Sequence, residues 1–175
     1  MAEGLTAIIG CSAPPIATER DNDLTATLEN GWELSVTRLI AAPPEKVWDI
    51  MANRMDEWWC PKPWRAEFDQ LERRAGGASN CTMYGPDGEA HPHPGFVLAW
   101  DEGHRFAFTD AVVGNLMPAG PFMIGIWEIT AEGDGTRYTA TCRHWTETDC
   151  QRHAEMGFTD GWGACADQLK ALAEA

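Results

Sequence analysis

Five histidines are the side chains best suited to acid–base chemistry near neutral pH: His91, His93, His104, His144 and His153. The first two flank Pro92 in a predicted loop, and no spacing motif nominates further metal ligands for them. His144 shares strand parity with Tyr138 and Cys142, which places its imidazole on a predicted buried face. Such a histidine either satisfies hydrogen bonds in the core or moves a proton, and we assign no catalytic residue and no metal site.

Arg38 is a second polar residue on a predicted buried face, because it shares parity with Trp32, Leu34 and Val36 on a predicted strand. An unpaired buried guanidinium is costly, so we expect a carboxylate within its reach. Asp110, in parity with two phenylalanines on a later strand, is the predicted partner.

Motifs for cofactor or nucleophile chemistry are weak. Residues 161–166, GWGACA, match a GxGxxA pattern but lie within a helical apolar stripe and follow no strand, so they do not indicate a dinucleotide site. The chain has no P-loop, and its three serines lack the context of a nucleophile elbow. No cofactor is predicted.

Aromatic side chains are the strongest signal, with nine tryptophans and six phenylalanines in 175 residues. They are densest in MDEWWCPKPW, residues 55–64. The adjacent side chains of Trp58 and Trp59 must point in different directions, so this segment is expected to face both a core and a cavity mouth. These aromatic residues either fill a core or line a pocket for a flat, apolar molecule.

Composition narrows the classes of partner. A formal net charge of -14 repels phosphate backbones and anionic lipid surfaces, so neither nucleic acid nor a membrane is an expected partner. The six cysteines show no CxxC pairing and follow no credible secretion signal, which indicates reduced thiols in a cytoplasmic protein. A homodimer is compatible with the sequence.

The elements that must position these residues can be predicted from periodicity. Residues 1–22 lack periodicity and are predicted to be a flexible tail, and residues 23–175 a single domain. Leu24 to Leu28 and Trp32 to Val36 are predicted to pair as a hairpin closed by Gly31. The segment APPEKVWDIM then opens a helix, and two short helices are expected after this first core strand.

About five or six short antiparallel strands follow, separated by glycine-rich turns. After them the spacing of the apolar residues changes from every second residue to every three or four residues. The last stripe predicts one long amphipathic helix from about Glu147 to Ala173. Glycines 157 and 161 are expected to keep that helix slim and to leave space beside it. A sheet closed by one such helix defines an α+β architecture.

The segments VTRLIAAPPEKVWDIM, WWCPKPW, ERRAGGASNCTMYGPDGE, GFVLAWDEGHRFAFT and GDGT, with Gly161-Trp162 in the last helix, resemble a known family. It is named for the C-terminal domain of the activator of the ninety-kDa heat-shock protein's ATPase and belongs to the START-related SRPBCC superfamily. The resemblance covers roughly residues 32 to 172 and departs at Cys60, where the family usually has glycine. It implies a helix-grip fold, in which a curved antiparallel sheet wraps around the C-terminal helix and leaves a cavity.

The first functional hypothesis is a binding protein that holds a small hydrophobic or aromatic molecule in this cavity. Enzymes of the polyketide cyclase or hydrolase type, with His144 or Tyr138 moving a proton, are the alternative, and a co-chaperone-like interaction module is the second alternative. The predicted ligand-binding residues are Arg38, Trp58, Trp59, Met83, Phe96, Phe106, Phe108, Tyr138, Cys142, His144, Phe158 and Trp162.

Overall fold

A seven-stranded antiparallel sheet forms the larger part of the molecule, of which the computed structural model describes residues 31–175. Its strands are β1 (Glu33–Ile40), β2 (Arg65–Leu71), β3 (Ala78–Tyr84), β4 (Ala90–Asp101), β5 (Arg105–Thr109), β8 (Met123–Glu132) and β9 (Gly135–His144). A separate two-stranded ribbon, β6 (Val112–Val113) with β7 (Met117–Pro118), lies between β5 and β8 in the chain. Six strands of the sheet follow the short helices, namely β2 to β5, β8 and β9, which confirms the expected number of five or six; the ribbon is additional.

The strand order is β1-β9-β8-β5-β4-β3-β2, so the first strand pairs with the last. Two hairpins close through glycines with positive φ, Gly103 between β4 and β5 and Gly133 between β8 and β9. Only glycine adopts this backbone conformation without steric cost, which fixes the register of each hairpin.

The segment between β1 and β2 contains two short helices, as the sequence predicts. Helix α1 (Pro44–Trp48) begins at a proline, whose fixed φ suits the first helical position. A π-helical turn (Asp49–Asn53) continues it, and α2 (Met55–Trp58) follows. Val47 and Met51, from the predicted apolar stripe, are fully buried.

The C-terminal region corrects one expectation, because two helices replace the single predicted helix. Helix α3 (Glu147–Glu155) and helix α4 (Phe158–Glu174) are separated at Gly157, which has φ +91°. A left-handed residue cannot continue a right-handed helix, so the apolar periodicity runs across a break that the glycine makes. The inner face of the sheet, defined as the face that contacts α4, encloses the core between these elements.

A bulge in β4 corrects a second expectation. The pairing with β5 shifts between Val97 and Ala99, so Val97 lies opposite Phe108 and Phe96 lies opposite Thr109. Paired residues of an antiparallel sheet share a face, which puts Phe96 on the outer face, away from Phe108. The predicted period-two run through Phe96 is therefore wrong, since Leu98 is exposed and Val97 is buried.

The predicted tail and the predicted strand Leu24 to Leu28 lie outside the described residues. Among the helices of residues 31–175, none combines the length and the apolarity needed to cross a membrane.

Replacing Trp162 tests how much the α4 contact stabilises the fold. This indole is buried against three other aromatic rings, so Trp162→Ala is expected to lower the free energy of unfolding by about 3 to 5 kcal/mol, measured by urea denaturation. The control Met156→Ala removes a side chain that is 66% exposed and should change it by less than about 0.5 kcal/mol. An unchanged midpoint for Trp162→Ala would contradict the packing described here.

Candidate functional site on the inner face of the sheet

Helix α4 is too narrow to cover the whole inner face of seven strands. It packs mainly against β1, at one edge of the sheet. On strands farther from this edge, the inward-facing side chains of Met83, Phe108 and Met123 remain partly exposed, although they pack against the core. This partly open apolar surface, together with Trp59, is the candidate site.

Three tryptophans from three different segments meet at the centre of this surface. The ring of Trp127, on β8, lies 5.2 Å from Trp59 and 5.1 Å from Trp162, and Trp59 and Trp162 are 5.0 Å apart, between ring centroids. We call these residues the tryptophan cluster. Because the rings fill the space between the sheet and α4, a ligand can enter there only if they move.

The two adjacent tryptophans of residues 55–64 have different surroundings. Trp58 is fully buried and donates its Nε1–H to the carbonyl of Ile50 at 3.1 Å. Trp59 is partly exposed and belongs to the tryptophan cluster.

The segment after α2 is attached to α4 by one amide side chain. The Nε2 of Gln168 donates to the carbonyl oxygens of Trp58 and Cys60, at 2.7 and 2.8 Å, and its Oε1 accepts from Lys62 N at 3.1 Å. Cys60 itself has φ +71°, a conformation that favours glycine. A glycine, which the family resemblance leads one to expect at this position, would adopt this conformation without strain. Burial raises the pKa of the Cys60 thiol to about 11, which keeps it protonated and unreactive.

Two polar atoms at the base of the candidate site have no hydrogen-bond partner within the described residues, Trp127 Nε1 and Tyr138 Oη. Tyr138 is completely buried on β9, next to Trp58. Burial raises the pKa of this phenol well above its usual value, so the hydroxyl keeps its proton at neutral pH.

Two buried histidines form a second polar cluster, near the end of the sheet where β9 meets α3. His144 Nε2 and His153 Nδ1 are 3.0 Å apart, and His144 Nδ1 is 3.3 Å from the carbonyl oxygen of Trp32. A carbonyl only accepts, so His144 donates from Nδ1, and its Nε2 must then accept from His153. His153 is the buried residue of α3, and burial, with a smaller contribution from His144, lowers its pKa to about 4.

Arg38 has a different partner from the predicted one. Its guanidinium donates to both carboxylate oxygens of Asp167 on α4, at 2.6 and 3.2 Å, and the hydrogen bond raises the pKa of Arg38 and lowers that of Asp167. Asp110 instead accepts from the backbone N–H groups of Phe122 and Met123. The correction has a topological cause, because β1 is an edge strand and β5, which Asp110 follows, is the central strand, three positions away.

The structure brings together most of the predicted site residues and separates two of them. Trp59, Phe106, Phe108 and Trp162 directly contact the ring of Trp127, and Phe158 contacts Trp162. Five more predicted residues pack around this group without a ring contact to Trp127: Trp58, Met83, Tyr138, Cys142 and His144. Arg38 is engaged by Asp167 near the exposed side of α4, and Phe96 lies on the outer face.

Sequence reasoning missed Trp127, Gln168 and His153. Trp127 lies on a strand where Ile124 and Ile126, which have the opposite parity, are also apolar, so alternation does not single out one face. A polar residue such as Gln168 on a helix carries no signal of its partners, because those are backbone atoms from a distant segment.

Two surface clefts lie elsewhere. One is beside the end of α4, lined by Leu39, Thr136 and Lys170 among others, and one is between α2 and β2, lined by residues such as Phe68 and Arg73. Neither includes a member of the tryptophan cluster.

This fold, a curved antiparallel sheet gripping a C-terminal helix, defines a superfamily of ligand-binding proteins and interaction modules, and comparisons specify the family. The model of the family described as Activator of Hsp90 ATPase homolog 1-like protein matches residues 41–174. The chain therefore belongs to this family. None of the curated proteins matches it significantly.

Solved structures of similar proteins come from several bacteria. A protein from Nitrosomonas europaea is 34% identical, with a TM-score of 0.75, over 80% of this chain and 92% of that one. A Mycobacterium smegmatis protein is 27% identical, with a TM-score of 0.68, over 82% and 91% of the two chains. A Silicibacter pomeroyi protein of the same family name, 20% identical with a TM-score of 0.60 over 79% and 95%, shares the fold.

Removing the Gln168 side chain is expected to loosen the segment that carries Trp59. Gln168→Ala leaves two carbonyls and one N–H without their partner, which should lower the free energy of unfolding by about 2 to 3 kcal/mol in urea denaturation. Gln151→Ala is the control, because Gln151 bonds only within α3, to Glu147. Equal effects of the two substitutions would show that Gln168 does not hold the segment.

The histidine pair should make stability depend on pH. An unfolded histidine has a pKa near 6.5, so between about pH 6.5 and pH 4 the folded protein binds fewer protons at His153 than the unfolded chain does. Stability should therefore fall as pH drops through this window, by roughly 3 kcal/mol in total from this residue. The variant His153→Asn keeps a donor near the position of Nδ1 but does not titrate. Its free energy of unfolding, measured by urea denaturation, should therefore fall less steeply as pH drops. If the free energy of unfolding depended on pH equally in the two proteins, His153 would not be the residue responsible.

Proposed function

We propose that this protein binds a small apolar or aromatic molecule on the inner face of its sheet, at the tryptophan cluster. The observation that carries the proposal is the group of partly exposed side chains around Trp127, namely Trp59, Phe108 and Met123. A folded protein gains free energy by covering such side chains, and a flat ligand can cover them where α4 does not.

The charge pattern supports an uncharged ligand. The Arg38 guanidinium is already paired with Asp167, and burial raises the pKa of the cysteine thiols around the core, so they are neutral. An ionised ligand would lose its hydration without gaining a free partner of opposite charge there.

An enzyme of the polyketide cyclase or hydrolase type is the second candidate, and the buried histidine pair is the observation that favours it. His144 is paired with Met123 across β8 and β9, so the pair lies beside the candidate site. In the tautomers described above, His153 Nε2 carries a free lone pair and can accept a proton.

The rival is an interaction module in which apolar side chains bind a protein. Two of the most exposed apolar residues, Leu116 and Met117, lie in and beside the β6–β7 ribbon, at 69% and 58% exposure. That surface does not involve the tryptophan cluster, so a ligand-binding measurement separates the two readings.

Dye binding tests the proposal. A neutral, environment-sensitive apolar dye such as Nile red is expected to bind at one saturable site and to be displaced by naphthalene, because both cover the same partly exposed aromatic surface. Gly161→Leu should weaken binding at least tenfold, measured by fluorescence titration. Position 161 lies two turns from Gln168 on the same side of α4, facing the Trp59 segment, and a Cβ there meets open space.

The matched control is Ala171→Leu, which adds a larger side chain to an exposed position of the same helix and should leave dye binding unchanged. Absence of saturable dye binding by the native protein would overturn the proposal and favour the interaction module.

A further inference from the structure

Two buried donors, one from the tryptophan cluster and one from a tyrosine on β9, lack an acceptor within the described residues. Trp127 and Tyr138 are 2% and 0% exposed, and their Nε1 and Oη atoms form no hydrogen bond within residues 31–175. Each unpaired buried polar group costs about 1 to 3 kcal/mol, so a structure retains such a pair at a cost.

Elementary hydrogen-bond chemistry defines what is missing. An indole N–H only donates, whereas a phenol both donates and accepts. The Trp127 N–H is close enough to the phenol oxygen to favour its ionised form, although the geometry does not make a hydrogen bond. Even if a small rotation completed that bond, the hydroxyl proton of Tyr138 would still have no acceptor. The pair therefore ends in a donor, and its missing partner is an acceptor.

The surrounding side chains do not supply this acceptor. The groups that act on Tyr138 electrostatically are the thiols of Cys165 and Cys142 and the guanidinium of Arg38. Burial keeps the two thiols protonated, which makes them weak acceptors, and a guanidinium only donates. The carboxylate nearest to Arg38 belongs to Asp167, which is mostly exposed and is engaged by that arginine.

We propose that the ligand of this protein is a flat, uncharged molecule carrying a carbonyl oxygen, such as an aryl ketone, and that Tyr138, supported by Trp127, donates a hydrogen bond to that oxygen. This inference rests on the proposed function, because it names the chemistry of a molecule bound at the same site. Ring stacking against Trp59 and Trp162 accounts for the flat body, and the donor pair accounts for the oxygen.

The position of Trp127 depends on a glycine. A Cβ built on Gly125 would lie 2.8 Å from the Trp127 ring and 3.5 Å from the Trp162 ring, so only glycine lets Trp127 lean over this part of β8.

The test compares two ligands of nearly equal shape, 2-acetylnaphthalene and 2-isopropylnaphthalene, of which only the first has an acceptor. Isothermal titration of the native 175-residue chain is expected to show the ketone binding about five- to tenfold more tightly, the gain from one net hydrogen bond. 2-Naphthoate, the anion of similar shape, should bind more weakly than the ketone.

Tyr138→Phe should remove the preference for the ketone and leave the affinity for the hydrocarbon within about twofold. The chain contains two tyrosines, and Tyr84→Phe is the matched control, because Tyr84 lies on β3 beneath Arg65 and should leave the preference unchanged. If Tyr138→Phe fails to fold, infrared spectra of carbonyl-labelled ketone bound to the native protein decide the question. A carbonyl stretch at lower frequency than in an apolar solvent is expected.

The outcomes separate the two proposals. If neither naphthalene binds, the proposed function fails. If both bind with equal affinity and the carbonyl frequency is that of an apolar solvent, the ligand site stands, and the donor pair is satisfied by something else, such as an ordered water, which overturns this inference. A stronger affinity for the naphthoate would likewise overturn it.

Discussion

The contact between Trp127, Trp59 and Trp162 is the interaction on which the rest of the structure depends. A single helix of 17 residues cannot cover the inner face of a seven-stranded sheet, so α4 packs against one edge and large side chains must fill the remaining gap. Each tryptophan of the cluster comes from a different element, and their contact connects the centre of the sheet, the helix and the segment after α2. A smaller residue at any of the three positions would leave a cavity.

That requirement explains the unusual chemistry of residues 55–64. For Trp59 to reach the cluster while the Trp58 ring enters the core, the chain must turn sharply, and it does so at Cys60 with a positive φ. A sharp turn leaves backbone carbonyls and N–H groups without secondary-structure partners, and Gln168 of α4 satisfies three of them. The same helix therefore supplies both a member of the tryptophan cluster and the amide that holds another member in place.

Much of the fold could be predicted from the sequence, because it depends on local periodicity. The alternation in β9, the proline that opens α1 and the apolar stripe of α4 are all readable, and with the resemblance they give the α+β helix-grip architecture that is observed. Errors arose where one residue changes the geometry. Gly157 divides the C-terminal helix without interrupting its stripe, and the bulge in β4 moves Phe96 to the other face. The partner of Arg38 depended on strand order, which periodicity does not contain.

The candidate site is harder to predict than the fold, because its main feature is a pair of buried donors without hydrogen-bond partners in the described residues. Conventional core packing pairs each buried donor, and the sequence alone gives no sign that Trp127 and Tyr138 are exceptions. Their unpaired state follows from the whole arrangement, in which Gly125 admits the Trp127 ring, and Ala140, opposite Trp127 on β9, offers no polar side chain. The histidine pair differs in this respect, because the hydrogen bonds that join His153, His144 and the Trp32 carbonyl are made within the protein and hold α3 to the sheet, while the lone pair of His153 Nε2 remains. The two polar clusters therefore have different physical characters: the histidines hydrogen-bond each other and connect α3 to the sheet, whereas Tyr138 Oη and Trp127 Nε1 form no hydrogen bond within the described residues.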